Sequence, residues 1–281
     1  MNAIELSGVS KSYPEFHLQD ITLNLPAGTI MGLVGENGAG KSTLFRLILG
    51  MQAKDSGNIN VLGEEDLRRN PLIKNEIGVV MDDVNLPAFL SIFETGKILA
   101  KIYSNWDQEL FEQMIRKLNI PENTKFTELS RGNKMKAGFA CAFAHHPKLL
   151  LLDEATSGLD PVVRDDILDI LMDFTRQEDH SVLISSHIVS DLEKACDYIA
   201  FLHQGKLIMV EEKDTIRENF GRMHCNAQEL SNIPHEAIAG LRRNPYGAEV
   251  IVRRDMVPDS VSLQAVDIEE LFVFMVKGET L

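Results

Sequence analysis

The chain is short of cysteine, short of positive charge, and without any long apolar run. Its three cysteines, Cys141, Cys196 and Cys225, lie far apart and form no C-x-x-C pair. That spacing excludes a paired-cysteine redox or metal motif and leaves reduced, buried thiols of a cytosolic protein as the expectation. No stretch approaches the roughly 20 apolar residues that span a bilayer. Direct membrane insertion is therefore not expected, and service to a membrane would run through a partner chain. The opening Met1-Asn2-Ala3-Ile4-Glu5 has neither a basic region nor an apolar run, so no signal peptide is visible. With 42 acidic against 28 basic residues the net charge is −14. Nonspecific binding to nucleic acid or to an anionic lipid surface would be repelled, whereas docking on a particular protein is still allowed. Internal repeats, low-complexity segments and heptad runs are also missing.

What is present centres on one nine-residue stretch, Gly35-Glu36-Asn37-Gly38-Ala39-Gly40-Lys41-Ser42-Thr43. It satisfies G-x-x-x-x-G-K-[ST], the phosphate-binding loop. The preceding Thr29 to Val34 reads as a buried strand. Ser42 to Leu49 carries apolar Leu44, Leu47 and Ile48 at helical spacing, with Gly50 placed to end the helix. Strand, glycine loop and helix N-terminus together aim backbone N–H groups at one spot, and the helix dipole favours an anion there. A Cβ on the glycines would block the phosphate or the left-handed turns. Lys41 adds a full charge for β- and γ-phosphates, and Ser42 offers a hydroxyl to Mg²⁺. A chance glycine loop would lack the flanking strand and helix.

At 281 residues and 44% hydrophobic, the chain is long enough for one large domain, or a domain with an appendage, around a sizeable core. Residues 3–34 read as strands, with Ile21, Leu23 and Leu25 alternating with polar residues and Pro26-Ala27-Gly28 as a turn. Tyr13 follows the first strand; it either packs or stacks on a base. Asn58 to Leu62 is an edge strand, and Ile77 to Val80 a short strand leading into the acidic loop Met81-Asp82-Asp83. Residues 90–145 look helical, with Leu110, Phe111, Met114, Ile115 and Leu118 as one apolar stripe and Pro121 beyond it. Ser130 caps a helix running to about Ala144. His145-His146 at its end complements the helix dipole better than it binds metal, since adjacent histidines do not share a face. Leu149 to Leu152 reads as a strand buried on both faces, ending in Asp153-Glu154. Pro161 starts a helix with Val163, Ile167, Ile170, Leu171 and Phe174 inward. Ser181 to Ser185 is a second buried strand that delivers Ser186 and His187. Asp197 to Leu202 and Lys206 to Val210 form a hairpin. From about Gly221 the pattern loosens, apart from a strand at Ala248 to Val252 and an amphipathic helix from Asp267 to Val276.

Alternating strands and helices predict an α/β fold with a largely parallel sheet, whose ligands sit beyond the strands' carboxyl ends. The glycine loop, Asp153-Glu154 and His187 all fall there. A carboxylate at the tip of an apolar strand, paired with a phosphate loop, suits Mg²⁺ and phosphate: Asp153 holds the metal, and Glu154 polarises an attacking water as general base. His187 either orients that water or bonds the γ-phosphate, or it is a capping or core histidine.

GENGAGKST, LSRGN, LLLLDEATSGLD and SSH, in that order over about residues 3–220, resemble the nucleotide-binding subunit of an ABC transporter. The resemblance makes Gly35 to Thr43 the Walker A, the strand to Asp153-Glu154 the Walker B, and His187 the switch histidine. It makes Tyr13 the adenine-stacking aromatic and Ser157 to Asp160 the D-loop. Ser130, Arg131 and Gly132 become a signature that completes the ATP site of the opposite subunit. It implies a RecA-like P-loop NTPase core with a small antiparallel β subdomain and a helical subdomain near residues 83–140. On this reading 1–220 is the ATPase domain and 221–281 a short α+β accessory region. Four positions depart from the pattern. Asp82 stands where a glutamine is usual, Arg131 and Asn133 replace a glycine and a glutamine of the signature, and Ala155 replaces a proline. The acidic loop, the LSRGN-K-M-K run and the ending Asp267 to Val273 are similar to bacterial ABC-2-type export ATPases, of the YtrB-like and bacitracin- or lantibiotic-export kinds.

The resemblance thus implies a Mg²⁺-dependent ATPase. It would act as a homodimer around two ATP molecules, peripheral to the cytoplasmic face of the membrane, and drive export through a separate transmembrane permease. Lys41, Glu154 and His187 would carry the chemistry, and Ser42, Asp153 and Asp82 the metal and γ-phosphate sensing. The rival is a soluble ABC-type ATP switch used for scaffolding or nucleic-acid work. One cassette rather than two, the lack of a coiled-coil insertion and the acidic balance argue against it. Glu154 argues against a catalytically silent regulatory subunit.

Overall fold

The structure, a computed structural model, describes residues 1–245, 247–258 and 260–279. Of the C-terminal region 221–281, Tyr246, Asp259, Thr280 and Leu281 therefore lie outside the described residues. In chain order the elements are β1 (Asn2–Ser12), β2 (His17–Pro26), β3 (Ile30–Gly35), α1 (Lys41–Ile48), β4 (Ser56–Val61) and β5 (Ile77–Val80). Then come α2 (Ile92–Ile102), α3 (Gln108–Lys117), α4 (Arg131–Phe143), β6 (Leu149–Asp153), α5 (Pro161–Phe174), β7 (Ser181–Ser185) and α6 (Val189–Ala195). The chain closes with β8 (Tyr198–His203), β9 (Lys206–Glu212), α7 (Lys213–Asn219), β10 (Phe220–Cys225), α8 (Ala227–Leu230), β11 (Ile238–Asn244), β12 (Gly247–Arg253) and α9 (Ile268–Lys277).

The continuous apolar runs lie at the centre of a six-stranded sheet of order β5-β6-β7-β3-β8-β9. All neighbours in it run parallel except β9, which returns antiparallel to β8. Every residue of β3, β6 and β7 is buried. Alternate side chains of these strands serve opposite faces. Leu150, Leu152, Val182 and Ile184 pack with α4 and α5 on one face. Leu149, Leu151 and Leu183 pack on the other with α1 and a small antiparallel sheet of order β2-β1-β4. Two apolar layers thus hold the parallel strands in register, with Asp153 opposite Ser185. The α/β class and the edge position of the strand after the loop helix agree with the sequence reading.

The stretch read as helical over 90–145 is three helices. Ser91 and Glu94 form a reciprocal capping box at α2, and Asp107 accepts from Leu110 N to start α3. Asn119, left-handed at φ 51°, and Pro121 then separate α3 from α4. Of the expected stripe, Phe111, Met114, Ile115 and Leu118 are buried. All three cysteines are free and buried, as expected. His145 is buried and its ring nitrogens lie 3.3 Å from Cys141 O and 3.2 Å from Ile77 O. Burial holds the His145 pKa below the ordinary value, so hydrogen bonding and not the charge that the dipole reading supposes ties it to the end of α4, while His146 pairs with Asp107 at 3.0 Å.

The described residues from Gly221 onward form more regular elements than the loose pattern suggests. β10, β12 and β11 form a third, antiparallel sheet. The expected closing helix is α9, and its Ile268, Leu271, Phe272 and Phe274 belong to the same buried cluster as β8 and α6. The Phe272 and Phe201 rings meet edge-on, centroids 5.1 Å apart, and Ile268 N donates to Glu193 Oε1 of α6 at 2.9 Å.

Candidate functional site

The glycine loop leaves β3 at the carboxyl edge of the sheet and enters α1 at Lys41. Gly40 is the N-cap of α1 with φ 112°, and a Cβ there would stand 2.6 Å from the Phe16 ring. Gly38 has φ 83°, and a Cβ would meet nothing. The left-handed backbone demands glycine at Gly38, while the space in front of it stays open for a ligand. The turn of the β8–β9 hairpin braces the loop from behind, Gly205 N donating to Ala39 O at 3.0 Å. Glu36, Asn37 and Gly38 form its exposed tip. The first-turn N–H groups of α1, from Lys41, Ser42 and Thr43, are those that an α-helix leaves without helical partners.

Lys41 is buried, and its ammonium donates to Gly35 O at 2.7 Å and to Glu36 O at 3.4 Å. The same ammonium lies 3.2 Å from Glu154 Oε1. A buried ammonium held by carbonyls and one carboxylate is available to a phosphate that enters the loop.

Asp153 ends β6 at 1% exposure. Ser185, its register partner on β7, donates to Asp153 Oδ1 at 2.7 Å and accepts from Glu154 N at 2.9 Å. One hydroxyl thereby positions both acidic residues. It escaped the sequence reading, although its place beside Ser186 and His187 was the available signal. Glu154 sits in the left-handed region at φ 53°, which turns its side chain back over the strand ends. Its Oε2 accepts from His187 N at 3.3 Å and lies 2.6 Å from His187 Nδ1. Burial alone would raise the Glu154 pKa, but the His187 hydrogen bond and the Lys41 charge together hold it below the usual carboxylate range.

Lys41, Glu154 and His187 are therefore one contiguous cluster, with Asp153 attached through Ser185. Tyr13 stands apart, its hydroxyl donating to Gln52 Oε1 in a short hydrogen bond. Phe16 is an aromatic set against Gly40 of the loop, and sequence reasoning passed over it. The remaining candidates gather elsewhere. Ser130 caps α4 by accepting from Asn133 N at 3.2 Å, Asp160 caps α5 by accepting from Val163 N at 3.1 Å, and Gly132 lies against Gly158 O. Arg131 Nη2 is 2.5 Å from Asp82 Oδ1. Among the described residues no hydrogen bond or ion pair joins this group to the Lys41 cluster.

No cluster of three or more His, Cys, Asp or Glu among the described residues is arranged to hold a metal. Mg²⁺ does not need one, since it keeps waters and binds through one or two carboxylates plus substrate phosphates. Ser42 beside the open loop and Asp153, with one oxygen uncommitted to Ser185, fit that donor set.

The family model described as ABC transporter matches residues 18–157. The chain is 36% identical over 220 residues to the ABC transporter ATP-binding protein YtrB of Bacillus subtilis, covering 77% of this chain and 74% of that one. The chain belongs to the ABC transporter family. A Nod factor export ATP-binding protein I of Rhizobium leguminosarum is 35% identical over 258 residues, 89% of this chain and 78% of that one. A solved ATP-binding subunit of an ABC transporter superposes with a TM-score of 0.70 at 26% identity, covering 77% of this chain and 92% of that one. These agree with the RecA-like cassette and the YtrB-like placement expected from the motifs, and the chemistry of this ABC cassette is ATP hydrolysis.

Proposed function

We propose that the chain works as a pair of identical ATPase subunits that close around two ATP molecules and power export through a separate transmembrane permease. The contiguous Lys41–Glu154–His187 cluster beside an open glycine loop carries this reading. In it, Lys41 exchanges the Gly35 and Glu36 carbonyls for β- and γ-phosphate oxygens. The loop amides from Gly35 to Thr43 cradle the phosphates, and Tyr13 stacks on the base. Glu154 takes the proton of the attacking water, and His187, hydrogen-bonded to Glu154, orients it. Ser42 and Asp153 would hold Mg²⁺, which neutralises phosphate charge as the bond to the leaving group breaks. Asp82, which a phosphate would repel, would act through Mg²⁺ or water with the oxygen that Arg131 does not hold. Ser130, Arg131, Gly132 and Asp160 complete the site of the second copy.

Residues 1–220 serve as the ATPase domain, with 83–140 as its helical part, and 221–281 as an accessory region. No helix among the described residues is long and apolar enough to cross a membrane. Phe89, Ile98 and Ile102 expose large apolar side chains around α2, which fits docking on a protein partner at the cytoplasmic face of the membrane. The test is affinity capture of the chain from detergent-solubilised membranes, followed by Mg-ATP turnover. Recovery with a multispanning protein that alters turnover is expected. An active chain recovered only without any membrane protein would overturn the transport reading.

A further inference from the structure

The turn that carries Tyr13 touches the glycine loop on one side and the segment after α1 on the other. Tyr13 N donates to Phe16 O at 2.8 Å, and the two rings have centroids 6.4 Å apart. The Phe16 ring is set against Gly40, the N-cap of α1. On the other side, the Tyr13 hydroxyl donates to Gln52 Oε1, 39 positions away, in a short and partly buried hydrogen bond. Asp55 accepts from Lys11 Nζ at 2.8 Å and from Ser12 N at 2.7 Å, and its own N donates to Ser10 O at 2.8 Å. Residues 52–55 therefore hold both the end of β1 and the tyrosine beyond it.

That segment is fixed to α1 in its turn. Met51 N and Gln52 N both donate to Arg46 O, at 2.9 and 3.3 Å, so the chain folds back on the last turn of the helix. α1 has eight residues, a rise of about 12 Å. Its first turn faces the open glycine loop, and the turn beyond its last brings Gln52 to the Tyr13 hydroxyl. A tyrosine turns about two side-chain torsions, and a bond at the hydroxyl holds both, so the plane of the ring is set before a ligand arrives. Ordering a contact group in advance removes that cost from binding. The bond also uses the only proton of the phenol, which leaves the ring to meet a base by its face.

We propose that Gln52 is a positioning residue for nucleotide binding, which sets the Tyr13 ring as a platform for the base. This rests on the reading above that Tyr13 stacks on the base. Gln52 acts through the Tyr13 hydroxyl and needs no contact with the nucleotide. Its effect therefore falls on the base and spares the phosphates.

A double-mutant cycle on the full chain tests it, using Gln52→Ala, Tyr13→Phe and the two combined. KM for Mg-ATP, kcat, inhibition by inorganic tripolyphosphate and melting temperature are measured for each. Tyr13→Phe keeps the ring and loses only the hydroxyl. Each single variant should raise KM for ATP about fivefold, the worth of one ordinary hydrogen bond, without a matching fall in kcat. The combined variant should be no worse than the poorer single variant, because both remove the same contact. Tripolyphosphate carries phosphates and no base, so its inhibition constant should keep the parental value. Gln52→Glu, which keeps an acceptor, should recover part of the loss. Single variants with parental KM, losses that multiply in the combined variant, or an equal loss of tripolyphosphate inhibition overturn the proposal. Tyr13→Ala separates it from the reading beneath. Removal of the ring should weaken ATP by about tenfold or more, as for the loss of one stacked base, and parental affinity there would overturn the stacking role of Tyr13 itself.

Discussion

Glu154 Oε2 lies 2.6 Å from His187 Nδ1, and Oε1 of the same carboxylate lies 3.2 Å from Lys41 Nζ. One side chain thus spans the group proposed to bind phosphate and the group proposed to orient water. Its left-handed backbone puts it there. Replacing Glu154 by Gln keeps the shape and removes the base. Glu154→Gln should bind ATP yet hydrolyse it at least ~10²-fold more slowly, the range ascribed to general-base catalysis. It should accumulate as an ATP-bound dimer on size exclusion with Mg-ATP. Phosphate release at the parental rate would rule out Glu154 as the base.

The same carboxylate links folding to pH. Burial raises its pKa, but the His187 hydrogen bond and the Lys41 charge lower it further, and the balance lies below the ordinary value. A carboxyl whose pKa falls on folding adds stability above its unfolded pKa, and that stability is lost as pH drops through the folded value. The stability gap between the parent and Glu154→Gln, read from urea unfolding, should therefore be largest near neutral pH and shrink on acidification below about 4.3, the unfolded carboxyl value. A gap independent of pH would mean that the Lys41 and His187 contacts do not act on the ionised form.

Ser185 offers a cleaner test of positioning. Its hydroxyl is fully buried, donates to Asp153 and receives Glu154 N. Ser185→Ala should cost about 1.5–3 kcal/mol, as for a buried hydrogen bond to a charged group. It should also lower turnover, since both acidic residues lose their shared anchor. Unchanged stability by urea unfolding would show that water replaces the hydroxyl without cost.

The parts of this molecule legible in the sequence are those where a short run carries its own physics. Four successive leucines announce a strand buried on two faces, and the glycine run announces a left-handed loop between a strand and a helix. What escaped depends on chain return. α6 and α7 span only seven residues each, too short for helical periodicity to show. β10 and β11 mix buried, half-buried and exposed positions out of strict alternation, so the strand period is blurred. Over 90–145 the break before α4 was legible from Pro121 and the Ser130 cap, whereas the break between α2 and α3 was not, because Asp107 acts singly and not as part of a turn cluster. Asp82 and Arg131 each looked like an isolated departure. Only the fold, which brings β5 beside α4, shows them to be one contact.

The tail is the next place where fold and motif diverge. It holds no nucleotide motif, yet α9 buries Phe272 against Phe201. Phe272→Ala should destabilise the chain by about 3 kcal/mol or more, as for a large core truncation, and leave ATP binding intact. Truncation after Phe220 should lower the melting temperature further while sparing nucleotide affinity in whatever fraction folds. A truncated chain that is folded by circular dichroism yet binds no ATP would place part of the site in the tail.

The final prediction concerns how two chains share two sites. Lys41 and Ser130 have no bonded link within one chain, and the proposed function makes them meet only across a dimer. A Lys41→Ala chain and a Ser130→Glu chain each form a homodimer with both sites broken. In a mixed dimer one site combines both defects, while the other pairs an intact glycine loop with an intact signature. Mixing should therefore create one whole site that neither parent has. Steady-state turnover could still fail if both sites must fire, so the readout is one trapped ATP per dimer, or a single turnover, with Glu154 intact in both chains. The Ser130→Glu defect should be electrostatic, since it sets a carboxylate against the γ-phosphate of the second copy, and it should weaken as salt is raised. Verified heterodimers that trap no nucleotide would mean that Ser130 serves only as the cap of α4.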